Sequence, residues 1–346
     1  MTISEPISND PFVTIAIPTF NRAALVKSCI TAALAQSYPY FEVFVSDNAS
    51  TDETPNVLKA FDDRRLRSTR QQTNIGLVGN WNACLAQARG EYIVFVSDDD
   101  VIEPWLLDRC IDVIRSEPGV PIVIALSDRL FSRGYTLNGT SHRRLGTGIW
   151  DGTEILAEIL DGSVFAPMCT ILIRTEALRA RGGFPVDWGP CTLDQATWFP
   201  LLLTGRAGLV NESCGTHTIH EGSFTSGLAL EVILQDTWKL VELILNIANT
   251  AIIDTRRRRD LEFRARRYFA HCAINNVGSR RREGTTLLEA VSELWRWRRE
   301  LSVIRPADLY GLRRSFAYIL LPQTVVRFLG SINRGSGRIL KGVPVA

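Results

Sequence analysis

The chain has 346 residues, 45% hydrophobic and 22% charged, which excludes a disordered polymer and suffices for one large α/β domain with an appendage. No run of about 20 apolar residues is free of charge, so no membrane-spanning helix is expected, and Met1–Asp10 lacks the basic start and apolar core of a secretory signal. The net charge of +2 hides a partition: residues 1–255 carry 19 basic and 30 acidic side chains (net −11), whereas residues 256–346 carry 20 and 7 (net +13).

Val13–Ile17 is a short apolar run closed by Pro18, the pattern of a buried strand, and Ala23–Gln36 predicts a helix after it. Phe41–Val45 predicts a second strand. Ser50-Thr51-Asp52-Glu53 has the form of a capping box, with Ser50 as the cap of a helix running to about Phe61. A third strand over Leu66–Gln71 and a helix over Val78–Ala88, stopped by Gly90, lead to Tyr92–Val96. That run is almost wholly apolar, as expected of a central parallel strand covered on both faces. Pro104 suits the first turn of a helix over Trp105–Ser116, and Pro121–Leu126 predicts another strand. Strands alternating with helices in this way predict a doubly wound, mostly parallel sheet.

After Phe131 the pattern loosens. It resumes with a helix near Glu154–Leu160, a strand near Cys169–Ile173, a Gly182-Gly183 turn and a helix from about Asp194. From Leu228 onward the signal is helical, which divides the chain into residues 1–226 and a basic helical region, 227–346. In that region arginines recur at 256–259, 280–282, 296, 298 and 299, with Trp295 and Trp297 among them. An apolar stretch, Ser315–Leu329, follows; it is broken by Pro322 and Arg327 and is too short to span a bilayer. It suits the interface of an anionic membrane, on whose headgroups the arginines could rest. A solvated basic bundle packed on the rest of the protein is the competing reading, and no nucleic-acid-binding module is recognised. The seven cysteines include no CxxC pair and read as buried thiols of a reducing cytosol.

Ligands of open α/β sheets bind beyond the carboxyl ends of the strands. Three polar clusters fall there: Pro18-Thr19-Phe20-Asn21-Arg22, Asp47-Asn48-Ala49-Ser50 and Ser97-Asp98-Asp99-Asp100. Three consecutive carboxylates repel one another unless a divalent cation relieves them, and their hard oxygens suit Mg²⁺ or Mn²⁺. A solvated acidic turn before the helix at Pro104 would look the same. Asp47 can accept a hydrogen bond from the N3–H of uracil or thymine, which cytosine lacks, or can close an Asx-turn. Trp188 and Trp198 flank Asp194 and suit sugar stacking or core packing equally. No G-x-G-x-x-G follows the first strand and no Walker A sequence is present, so a dinucleotide fold and a P-loop are excluded.

Together these segments resemble family 2 glycosyltransferases of the GT-A fold, over roughly Phe12–Ser226. Ile17–Arg22, Val45–Asp52, Asn74-Ile75-Gly76, Gly90–Ile93, Ser97–Asp100 with Pro104, Gly182-Gly183-Phe184 with Leu193-Asp194, and His217–His220 occur in the family's order. The sequence departs from the family pattern at Ser97 and Leu193, where an acidic residue is usual. The resemblance implies a Rossmann-like GT-A domain followed by helices, and an inverting displacement in which Asp194 is the catalytic base. It places Pro18, Thr19, Asn21, Asp47, Asn74, Gly76 and Asp98 at the nucleotide-sugar donor, with Thr19 and Asp47 at the base and Asp98 at the ribose. It gives the metal to Asp99, with Asp100 or His220. The implied donor is a UDP- or dTDP-sugar, and the implied acceptor is a glycan or lipid-linked hydroxyl in surface polysaccharide or glycolipid synthesis. That work belongs in the cytoplasm or on the inner face of the cell membrane. A sugar nucleotidyltransferase and a non-catalytic sugar-nucleotide-binding protein are the alternatives. The former usually has a glycine-rich loop where Pro18-Thr19-Phe20 stands.

Overall fold

The structure, a computed structural model, describes residues 10–131, 136–137, 144–220, 227–252, 254–304 and, beyond these, 308, 312–313, 315–316 and 319–320. Two compact units divide the chain. One runs to His220, and the other holds the later residues together with Leu160–Gly162 and Gly189–Thr192. The expected boundary at residue 226, and Ser315–Leu329 apart from 315–316 and 319–320, lie outside the described residues.

The first unit opens with three βα steps: β1 (Val13–Thr19), α1 (Ala23–Leu34), β2 (Phe41–Asp47), α2 (Thr54–Lys59), β3 (Leu66–Arg70) and α3 (Gly76–Gln87), leading to β4 (Tyr92–Phe95). β1, β2 and β4 are buried at every position; β4 is wholly apolar, while the Thr14 hydroxyl of β1 donates to Glu42 Oε1 of β2 (2.9 Å). Gly90 sits before β4 because of close packing: a Cβ there would stand 2.4 Å from the Thr14 amide nitrogen and 2.5 Å from the Tyr92 carbonyl oxygen. The chain continues through β5 (Val101–Ile102), α4 (Leu106–Ser116), β6 (Ile122–Phe131), β7 (Thr136–Leu137), β8 (Gly148–Asp151), α5 (Gly152–Leu160), β9 (Ile171–Arg174), α6 (Thr175–Ala180), α7 (Leu193–Leu203) and β10 (Arg206–Ile219). α4 turns Leu106, Leu107, Cys110, Ile111, Val113 and Ile114 onto the core cluster that joins β1, β2 and β4.

The strand order is β3-β2-β1-β4-β9-β6-β10-β5. β3, β2, β1 and β4 are parallel, so their carboxyl ends share one rim, as expected. β9 then enters antiparallel between β4 and β6, and β10 runs parallel to β6. β9 returns from later in the chain to lie between β4 and β6. One expectation needs correction. The capping box at Ser50 does not form: α2 begins at Thr54 with Pro55 in its first turn, and the Thr54 amide donates to Asp52 Oδ1 (3.0 Å). Ser50 Oγ instead accepts the Asn21 amide at 2.8 Å.

The second unit is built on α8 (Leu230–Ala251), α9 (Thr255–Glu283) and α10 (Leu287–Arg296). Leu261, Ala265, Phe269, Ala273 and Val277 form a buried stripe along α9 at helical spacing. Asp254 caps α9 by accepting the Arg256 and Arg257 amides, and Thr286 with Glu289 forms a complete capping box on α10. Trp297 packs on Phe269 and Trp238. Among the described residues no helix is long and apolar enough to cross a membrane.

Candidate active site

Thr19 and Asp47 end β1 and β2 in register with each other. The loops beyond them are stitched together. Asn21, at φ +53°, accepts the Thr51 amide on its Oδ1 (2.7 Å) while its own amide donates to Ser50 Oγ. Ala49 sits at φ +63°, a conformation alanine rarely adopts, held by its amide donating to the Asp47 carbonyl at 2.9 Å. Asp47 Oδ1 accepts the Ser50 amide three residues on (2.9 Å), while the Ala49 amide, which an Asx-turn would use, bonds the Asp47 carbonyl. Its Oδ2 is buried without a hydrogen-bond partner among the described residues, with Arg70 Nε 3.5 Å away. One carboxylate oxygen thus holds the loop and one acceptor oxygen is left over.

Asn48 clamps the third loop. Its Nδ2 donates to Asn74 Oδ1 (2.9 Å) and the Gly76 carbonyl (3.2 Å), and its Oδ1 accepts the Ile75 amide (2.9 Å). Gly76 adopts φ +77°, which a side chain would strain. Asn74 and Gly76 thus reach the rim through Asn48, which the sequence named only as part of the Asp47–Ser50 cluster. Its position directly after Asp47 was the available signal.

The three aspartates following β4 point three ways. Asp98 is buried; the Thr19 hydroxyl donates to its Oδ2 (2.7 Å) and Arg22 Nη1 to its Oδ1 (3.0 Å). Burial pushes its carboxyl up to about 6, although Thr19 and Arg22 pull it back. Asp99 Oδ2 meets both Arg22 Nη1 (2.7 Å) and His220 Nε2 (3.0 Å). Asp100 is buried, and its Oδ1 faces His217 Nδ1 (3.0 Å) and accepts the Thr218 amide (3.0 Å), which ties the aspartate loop to β10. Arg22 is the cation that faces two of these carboxylates.

Asp194 lies in the first turn of α7, with Oδ1 accepting the Gln195 amide at 2.9 Å. Burial raises its pKa above the ordinary carboxylate value, opposed by the Gln195 amide and the charge of His217. For His217 burial works downward, but the hydrogen bond and charge of Asp100, with Asp99 and Asp194, outweigh it and raise the pKa. His217 is therefore the electrostatic link between the aspartate loop and Asp194. It was named in the sequence only as part of the His217–His220 segment. Trp198 is fully buried against Phe199, so it is a core residue and stacks on no sugar; its neighbour Trp188 is partly exposed.

Pro18, Thr19, Asn21, Asp47, Asn74, Gly76 and Asp98 all lie at the carboxyl ends of β1 to β4 or just beyond them, and Asp99 with His220 is adjacent. Among the described residues no group of three or more histidine, cysteine or acidic side chains is arranged around an ion. Asp99 and His220 do converge, a carboxylate and an imidazole. Two such ligands fit a cation that takes its other oxygens from a diphosphate, provided Arg22 yields Asp99 Oδ2. Asp100 faces away toward His217.

The sequence profile of glycosyl transferase family 2 matches residues 14–181. The succinoglycan biosynthesis protein ExoO of Rhizobium meliloti is 36% identical over 106 residues, 31% of this chain and 30% of that protein. The Escherichia coli UDP-Glc:alpha-D-GlcNAc-diphosphoundecaprenol beta-1,3-glucosyltransferase WfaP is 24% identical over 229 residues, 64% of this chain and 83% of that protein. Matches to several curated relatives are partial, spanning 14%, 30%, 30% and 62% of their lengths. The crystal structure of S. aureus TarS 1–349 in complex with UDP-GlcNAc superposes with a TM-score of 0.65 at 20% identity, over 94% of this chain and 92% of that one. That likeness shows the fold, the mixed α/β sheet of the GT-A type with helices after it.

Proposed function

We propose, from the match of residues 14–181 to the glycosyl transferase family 2 profile, that the protein carries out an inverting transfer of a sugar from a UDP- or dTDP-sugar to an acceptor hydroxyl. The observation that carries this reading is the rim itself: Thr19, Asp47, Asp98 and Asp99 at adjoining strand ends, with His220 on Asp99 and His217 on Asp100. We assign catalysis to residues 1–226 and leave residues 227–346 to the enzyme's placement.

Asp47 Oδ2 takes the N3–H of uracil or thymine, Thr19 borders the base, and Asp98 accepts from the ribose. Pro18 and Asn21 shape the first loop, and Asn74 and Gly76 close the third. Asp194 accepts the acceptor's hydroxyl proton while that oxygen bonds to the anomeric carbon and the bond to the diphosphate breaks. A base with a raised pKa holds the proton better at neutral pH than an ordinary carboxylate. Asp99 and His220 would hold Mg²⁺ or Mn²⁺, whose charge would offset that of the departing nucleoside diphosphate, while Asp100, turned to His217 and the Thr218 amide, ties the aspartate loop to β10 instead of holding the ion. Arg22, released from Asp99, remains beside the phosphates as a second cation. The acceptor is a glycan or lipid-linked glycan, and the site of action the cytoplasm or the inner face of the cell membrane. The name of WfaP, with its diphosphoundecaprenol acceptor, supports this choice.

The test is a donor screen. Incubation with UDP- and dTDP-sugars and Mn²⁺ should release the nucleoside diphosphate. Pyrophosphate release would instead mark a nucleotidyltransferase, and binding without release a non-catalytic protein. Asp99→Asn or EDTA should abolish release; undiminished release with EDTA removes the metal from the mechanism.

A further inference from the structure

α10 carries an apolar face that its own unit leaves uncovered. At about 100° per residue, Leu287, Leu288, Val291 and Trp295 fall within one arc of roughly 100°. They are 44%, 80%, 46% and 67% exposed. The adjoining arc holds Ala290 and Leu294, which pack against the cluster of Ile274, Val277, Leu312 and Ile319. The helix is thus fixed on one side, capped by Thr286 at its start, and presents its other apolar side outward.

The two neighbouring tryptophans differ in the same way. Trp297 packs 4.9 Å from the Phe269 ring, whereas Trp295 stands outside. Beside Trp295 lie three exposed arginines. The Arg298 guanidinium is 5.0 Å from the Trp295 ring centre, Arg296 reaches Glu231 (3.3 Å), and Arg299 follows at the end of the helix. An indole next to arginines, at the edge of a stripe of leucine and valine, matches the boundary between acyl chains and phosphates. The net charge of +13 over residues 256–346 selects an anionic surface.

We propose that this face of α10 seats the protein on an anionic lipid surface, with Leu288, Val291 and Trp295 entering the headgroup boundary and Arg298 and Arg299 meeting lipid phosphates. The choice of a membrane as occupant rests on the lipid-linked acceptor proposed above; the uncovered face does not.

The test uses the full chain in vesicle flotation, with phosphatidylcholine alone or mixed with phosphatidylglycerol. Binding is expected only to the mixed vesicles and should weaken as salt rises. Each arginine at the surface accounts for about a fivefold change in partitioning, so Arg298→Gln with Arg299→Gln should lower it by an order of magnitude or more. Leu288→Ser with Trp295→Ser should lower it at least as far, with the thermal transition unchanged because both positions are exposed. Should that pair unfold the protein, quenching of tryptophan emission by brominated lipid supplies the readout, and Trp295→Phe must remove most of it. Wild-type affinity in these variants, or no binding to mixed vesicles at low salt, overturns the proposal. So does a dimer in solution that the serine pair dissolves while vesicle binding persists. Nucleoside diphosphate release without vesicles should be unaffected by every α10 variant, so failure of the transferase reading and failure of this one are separately visible.

Discussion

Asp47 is a buried carboxylate at the start of a turn, and Asp194 a partly buried one in the first turn of α7. Asp194→Asn should lower kcat by about 10²–10⁴-fold, the usual contribution of a positioned base, with calorimetric affinity for UDP retained. Equal loss of UDP affinity would make Asp194 a donor ligand. Because burial raises its pKa, the acid limb of wild-type kcat should lie above the ordinary aspartate value. Activity rises as pH climbs and the proton leaves, and a limb at or below pH 4 contradicts the assignment. Asp47→Asn should erase a preference for UDP over CDP, since an amide can donate where the carboxylate only accepts. Isothermal titration of both nucleotides measures this; an undiminished preference places recognition elsewhere. At this scale the sequence was readable where chemistry is concentrated in a run, as in Ser97–Asp100. It was less readable for His217, whose ring reaches Asp100 because β5, which directly follows Asp100, pairs with β10. No local pattern encodes that approach.

Among the elements, those buried on both faces were the most legible. β1, β2 and β4 are buried at every position, which is why apolar residues dominate them, wholly in β4 and with Thr14 and Glu42 paired to each other in β1 and β2. β10 escaped notice because register shifts between Val210 and Ser213 and between Ser213 and Thr216 break its alternation, and Glu212 and Gly215 interrupt its apolar residues. Two tetrads of the same capping form had opposite outcomes. Thr286–Glu289 caps α10, whereas at Ser50–Glu53 the cap residue is drawn to the Asn21 amide and Pro55 sets a later start. Tertiary contacts decide such cases, and they are absent from a local window. Gly90 was legible as a stop signal, but its structural duty is close approach. Gly90→Ala should lower stability by about 1–3 kcal/mol, because the added methyl meets backbone that cannot move away. Chemical denaturation with an unchanged unfolding slope checks it. A loss under 0.5 kcal/mol would show that β1 and β4 can part locally without penalty.

For the molecule as a whole, net charge is a poor guide to behaviour. A chain at +2 should interact weakly with any ion exchanger, yet net −11 and net +13 lie in separate stretches of it. At low salt near neutral pH it should be retained by both a cation and an anion exchanger, each stretch meeting the opposite support within a Debye length of about 10 Å or more. Flow through either column at low salt would mean that the two charge sets neutralise each other within the molecule. The partition was fully readable from sequence, since it is a count. Which residues of the basic stretch face outward was not: Trp295 and Trp297 are equivalent as letters and separated only by packing.

The late arrival of β9 and β10 also sets a schedule for synthesis. β4 and β6 are made early, but the strand between them ends at Arg174 and β6's other neighbour ends at Ile219. At about 5–20 residues per second, a ribosome leaves the apolar edges of Tyr92–Phe95 and Ile122–Ala125 unpaired for several seconds. Pairings this distant in sequence are also slow to form once available. For that interval the nascent chain offers two sticky strand edges to its neighbours, and holdase chaperones are the natural cover for them. Soluble yield should therefore respond to translation speed and chaperone supply more than to the stability of the finished fold.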